Sequence, residues 1–163
     1  MLRMDFSEIF TNIEHYLIVL LVSAVPIIEL KGAIPIGLGL GLGLWETFFT
    51  ALLGSCLPAP FLILLIRSIL KWMNGSKISF FHKVADFLNR KIQKGQQSKA
   101  FRTSAILGLF VFVAIPLPTT GVWTGSMIAG VLDLRLKSAL PVIVLGNTIA
   151  GLIILSMSHL LIF

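Results

Sequence analysis

An apolar run from Tyr16 to Ile28 leads into Glu29-Leu30-Lys31-Gly32-Ala33-Ile34-Pro35, and a second apolar run from Ile36 to Leu44 follows. Two opposite charges thus sit inside a segment that otherwise reads as bilayer-facing. A charge at the centre of a membrane helix costs roughly 2.5–3.5 kcal/mol on insertion scales, so a chain that keeps two there needs a reason. Gly32 and Pro35 weaken a helix at the same place. Broken helices at membrane depth survive only where protein or a water-filled cavity covers the freed backbone. The stretch is therefore predicted to be the turn of a hairpin that dips into the membrane and lines a polar site.

Only 12% of the 163 residues are charged and 56% are hydrophobic. Soluble domains carry about 25% charged residues, so the chain reads as an integral membrane protein. The single Cys56 lies in an apolar run, which excludes a disulfide framework and leaves a small buried hydrophobe. Acidic residues dominate Met1 to Glu14, and no cleavage pattern leads into a soluble domain, so the first apolar segment does not read as a signal peptide.

Residues 1–12 are polar and are expected at the surface. The arms 13–28 and 33–44 are each about 18–24 Å long as helices, short of a ~20-residue crossing, which favours a re-entrant hairpin. Trp45 and Glu46 close it where an interfacial anchor belongs. Residues 47–70 form one long span, softened by Pro58 and Pro60. From Lys71 to Arg102 there are eight Lys and Arg residues against one acid, Asp86, which places this stretch in the cytoplasm. Within it Ile78, Phe81, Val84, Ala85, Leu88 and Ile92 recur at helical spacing. A basic amphipathic helix over 77–97 is predicted on the membrane face, holding anionic lipid at about 1 kcal/mol per Lys or Arg. Membrane lipid, not nucleic acid, is its expected partner.

A second unit follows. The apolar stretches 104–115 and 122–132 flank Pro116-Leu117-Pro118-Thr119-Thr120-Gly121. Asp133, Arg135 and Lys137 close this hairpin on the cytoplasmic side, and 138–160 is a second long span with Pro141 and Asn147. Small residues recur four apart in both post-turn arms: Gly37/Gly41 and Gly39/Gly43, then Gly121/Gly125 and Ser126/Gly130. Such spacing lets helix backbones approach. Leu53-Gly54-Ser55 also matches Leu145-Gly146-Asn147. With the basic stretch inside, hairpin one opens outward and hairpin two inward, so both termini face out. The predicted fold is all-α integral membrane: repeat one over 1–70, a basic linker helix over 71–103, and an inverted repeat two over 104–163. Broken helices meeting near the midplane are the plan of many secondary transporters.

The candidate site follows from that plan. Glu29 is read as a proton carrier or cation ligand, against a structural pair with Lys31. Lys31 in turn holds an anionic head group or tunes Glu29. Pro35, Pro116, Pro118, Thr119, Thr120 and Gly121 supply freed backbone and hydroxyls at the two turns, although Thr also caps helices. Trp123 lines the cavity or simply packs. Asn147 is the one strongly polar residue of the last span; such amides bond across helices, worth about 0.6 kcal/mol on average. His15, His82 and His159 show no metal spacing. No nucleophile–base pair, phosphate loop or zinc motif is present, so neither an enzyme nor a cofactor is expected.

Three motifs carry a family resemblance: Glu29-Leu-Lys-Gly-Ala-Ile-Pro-Ile-Gly37, Leu53-Gly54 with Pro58-Ala-Pro60, and Pro116-Leu-Pro-Thr-Thr-Gly-Val-Trp-Thr-Gly125. Over nearly the whole chain they resemble the small multidrug export protein family. That resemblance implies a multi-pass protein of a prokaryotic inner membrane and drug efflux. The layout is also similar to the DedA superfamily, which implies two facing re-entrant hairpins and proton-linked handling of polyprenyl phosphates, or lipid scrambling. Residues 104–132 lack the arginines of that group, which leaves Lys31 as the expected sole intramembrane cation. The leading expectation is a small transporter, proton-coupled, with its site between the hairpins. A lipid translocase or scramblase is the first alternative, and a non-transporting assembly subunit the second. Whether the chain forms a homo-oligomer stays open.

Overall fold

The computed structural model describes residues 6–75 and 99–162, with side chains placed over 12–73 and 100–160. The predicted lipid-binding helix over 77–97 lies outside the described residues. Those residues form seven helices and no strand: α1 (Phe6–Ala24), α2 (Glu29–Gly39), α3 (Leu44–Cys56), α4 (Ala59–Gly75), α5 (Lys99–Ala114), α6 (Val122–Val131) and α7 (Leu136–Ile162).

The first break falls earlier than the sequence reading placed it. α1 starts at Phe6, inside the stretch expected at the surface, and stops at Ala24. Pro26 disfavours a helical conformation at Val25 and offers no N–H, so the chain turns over 25–28. The Glu29–Pro35 segment, expected as the turn, is instead the body of α2. Glu29 opens that helix with a left-handed φ of 48°. Pro35 stands inside it on an exposed face, where the loss of one backbone hydrogen bond is tolerated. The second break lies where expected, between α5 and α6, with the two prolines in it.

α2 and α6 have 11 and 10 residues, about 15–16 Å, roughly half of a hydrocarbon core. Both end in the same backbone device. Leu42 N–H donates to Gly37 O at 3.1 Å and Gly41 N–H to Leu38 O at 3.0 Å; Leu134 N–H donates to Ala129 O at 3.0 Å and Asp133 N–H to Gly130 O at 3.1 Å. This is the Schellman closure, and its left-handed residue is Gly41 in one helix and Asp133 in the other. Among the described residues, Leu44–Met73 and Leu136–Leu160 are the two stretches long and apolar enough to cross a membrane.

Two apolar clusters hold the helices together. The first joins Val19 of α1, Leu30 and Ile34 of α2 and Phe48 of α3 to Leu155 from the far end of α7. The second joins Leu109 and Val113 of α5, Val122 and Ala129 of α6 and Ile143 of α7 to Ala59 and Ile63 of α4. A glycine sets the close approach in each cluster. A Cβ on Gly54 would strike the Leu20 carbonyl of α1, and one on Gly146 would lie 3.0 Å from the Phe110 carbonyl of α5. The Gly37 and Gly125 positions are similarly filled by Val19 and Val113, whereas Gly39 faces open space and plays no such part. Outward-facing side chains are apolar: Leu53, Phe61, Leu145 and Leu160 are all well over half exposed.

Candidate functional site: the junction of the two breaks

Glu29 and Lys31 do not chiefly serve each other. Their charged groups are 3.9 Å apart, beyond hydrogen-bond distance. Each is spent on the other break. The Glu29 carboxylate is 5% exposed as a residue and accepts the backbone N–H of Trp123 at 3.0 Å through Oε1. Trp123 is the second residue of α6, so the anion lies at the positive end of that helix, where free N–H groups and the dipole both favour it. Lys31 Nζ donates to the carbonyls of Leu117 and Thr120, in the turn before α6. The first turn of α2 thus presents an anion to donors and a cation to acceptors, two residues apart.

Three further features fix the junction. Gly121 is the N-cap of α6, at φ 156° and ψ −165°, and a Cβ there would overlap the Glu29 carboxylate. Trp123 Nε1 donates to the Ala24 carbonyl at the end of α1, 3.1 Å away. Thr120 Oγ1 donates to Ile115 O at 2.6 Å and accepts from Leu117 N at 3.1 Å, which closes the second break on itself. A cavity of about 250 Å³ opens beside the junction, lined by Pro26, Ile27, Glu29, Pro118, Thr119 and Thr120, with Thr124 completing the wall. Its threonine side is held by Thr124 Oγ1, which donates to Thr119 O at 3.0 Å.

Of the residues singled out in the sequence, Glu29, Lys31, Thr120, Gly121 and Trp123 meet directly, and Pro118 and Thr119 line the cavity. Pro116 belongs to the second break but not to the cavity wall. Pro35 takes no part: it faces outward from α2. Asn147 belongs elsewhere. Its amide donates to Ser55 Oγ at 2.7 Å and to Cys56 Sγ at 3.4 Å, tying the middle of α7 to the end of α3.

Sequence reasoning missed Arg67 and the backbone groups at 117, 120 and 123. Lys31 is not the sole cation of the apolar segments, because Arg67 lies within the Leu44–Met73 stretch. Its Nε is 3.2 Å from Asp133 Oδ1, and its Nη2 donates to the Leu134 carbonyl at the Schellman closure of α6. The signal was present as a lone charge in an apolar run. The backbone partners of Glu29 and Lys31 left no such trace, since any residue supplies an N–H or a C=O. Among the described residues no group of three His, Cys, Asp or Glu side chains could hold a metal ion.

No curated protein and no solved structure matches the chain significantly. The sequence profile of one family does match, over residues 29–153, opening on Glu29 and running through both breaks to the middle of α7. Since that match covers well over half of the chain, the protein belongs to the putative small multi-drug export protein family, a family of membrane proteins.

Proposed function

We propose that this protein exports small organic cations across a prokaryotic inner membrane in exchange for protons, with Glu29 as the group that both ions share. The observation that carries the reading is the place of its carboxylate. It caps α6 on one side and borders the 250 Å³ cavity on the other. An ionised Glu29 attracts a cation into the cavity and holds the hairpins together through the N-terminus of α6. A protonated Glu29 no longer attracts the cation and keeps only a neutral hydrogen bond to α6, so cargo release and a loosening of the two breaks accompany proton uptake. The family description supports export as the task.

The scaffold we propose is a pair of inverted repeats, each a re-entrant hairpin followed by a span. Its support is the exchange of span halves. α7 packs on α5 at Gly146, then reaches Leu30 and Phe48 of the first repeat at Gly151. The α3–α4 span packs on α1 at Gly54, then reaches α6, where Gly130 lies against Ile63 and Ile66. Two spans that each run from their own hairpin to the other one run in opposite directions. In this arrangement the breaks meet near the midplane, as in other transporters built from broken helices.

Reconstitution into proteoliposomes tests the function. With a pH gradient imposed, a panel of cationic drugs and a labelled polyprenyl phosphate are offered to the same vesicles. Gradient-dependent movement of a cation supports the exporter. Movement of the polyprenyl phosphate alone overturns it in favour of a lipid translocase. Movement of neither overturns it in favour of a non-transporting assembly subunit.

A further inference from the structure

The atoms around Lys31 Nζ form a site in their own right. Two backbone carbonyls, Leu117 O and Thr120 O, accept from the ammonium, and the Glu29 carboxylate stands 3.9 Å away as its counter-charge. All three belong to backbone or side chain that other contacts already fix: Thr120 by its own hydroxyl bonds, Glu29 by Trp123. The set is therefore held in place whether or not an ammonium fills it. Oxygen acceptors of this kind, with one negative charge among them, are what a primary ammonium needs when it leaves water. The cavity abuts the set, since Glu29 and Thr120 contribute to both.

We infer that Leu117 O, Thr120 O and the Glu29 carboxylate are a binding site for a primary ammonium, and that Lys31 fills it as a tethered plug which an incoming amine displaces. The chain carries its own stand-in for cargo. A free primary amine entering through the cavity meets Glu29 first, then exchanges with Nζ on the two carbonyls. Quaternary ammonium groups have no N–H to give and do not replace it. Lys31 is a positioning residue here: it closes the site when cargo is absent. The displacement step rests on the export reading, but occupancy of the site by an amine does not, and it is read without any gradient.

Two measurements on the full-length protein test the site. The first is chemical rescue of Lys31→Ala in detergent. Methylammonium chloride is expected to raise its melting temperature by several degrees, while tetramethylammonium chloride at the same concentration does not, and the parent, whose site Lys31 already fills, responds to methylammonium less. In Glu29→Gln/Lys31→Ala the methylammonium effect should be lost, because the counter-charge is gone. Equal responses of Lys31→Ala to the two salts, or a response that survives in the double variant, would overturn the proposal. The second measurement needs no variant. An amine-directed acylating reagent should modify Lys31 of the parent several-fold more slowly than the exposed Lys137, read by peptide mass spectrometry. A tertiary amine, which the reagent does not consume, should leave the ratio unchanged, because its single N–H cannot serve both carbonyls, and a rise toward the Lys137 rate would overturn the proposal. Acylation of Lys31 as fast as that of Lys137 would show that no plug is seated. Transport failing in vesicles while rescue succeeds would leave the site standing and remove only the export reading.

Discussion

Replacing Gly121 by alanine should damage this protein more than any other single methyl group added at a glycine of the second hairpin. Two costs add. The φ of 156° with ψ −165° belongs to a region kept almost entirely for glycine, and holding another residue there costs about 1–3 kcal/mol. The new Cβ also falls on the carboxylate of Glu29, whose Oε2, Cδ and Oε1 are the three nearest atoms. The carboxylate must leave, and the charged hydrogen bond to Trp123 N is lost, worth about 1.5–3 kcal/mol. The sum is about 3–6 kcal/mol. In a chain of this length 1 kcal/mol moves a melting temperature by about 2–4 °C, so a fall of roughly 6–24 °C is expected. Cys56, the single cysteine, is half-buried under the Asn147 amide and reports unfolding through a maleimide dye. Gly108→Ala is the control: it lies in α5 with no atom within 4 Å of its added Cβ, and alanine there should be neutral or stabilising by up to about 1 kcal/mol. If Gly121→Ala melts with Gly108→Ala and the parent, Glu29 does not sit against residue 121 and the junction as described is wrong.

Other outcomes follow from the same contacts. In amine-free buffer Lys31→Ala should lose more stability than Glu29→Gln/Lys31→Ala, since the single change strands a buried carboxylate, at about 3–5 kcal/mol, and the double change does not; melting of the two variants checks the order. Asn147→Ala and Ser55→Ala should each lower stability by about 0.5–2 kcal/mol, and a double-mutant cycle should return a coupling because they share one hydrogen bond of 2.7 Å. Cysteines placed at residues 3 and 135 in a Cys56→Ser background should react with an impermeant maleimide from opposite sides of the membrane; reaction of both from one side would refute the inverted arrangement.

The second break was legible because two prolines, Pro116 and Pro118, punctuate an otherwise apolar run. The first was legible only in part. Gly32 and Pro35 drew the turn onto the charged motif, yet α2 absorbs both, Pro35 by facing outward. Pro26 makes the actual break, and it stood among residues with no polar mark. Gly54 and Gly146 stood in a three-residue match, but their backbone-close packing emerges only from the fold. Glu29 and Lys31 were found from the cost of burying charge, but the obvious partner of each was the other. Their nearer partners are main-chain groups of 117, 120 and 123, which sequence does not distinguish. Arg67 was overshadowed by the basic run that begins at Lys71, and its role in holding the end of α6 emerges only from the fold.

The account stands on Glu29 as the carboxylate that proton and cation share. The most direct measurement loads proteoliposomes with a pH-sensitive dye and applies an outward gradient of a transported cationic drug. The parent should move protons against the drug flux. Glu29→Gln should still fold, since the amide oxygen accepts from Trp123 N, but melt below the parent because the charge is gone, and it should move no protons at any drug concentration. Proton movement by Glu29→Gln at the parental rate would contradict the account.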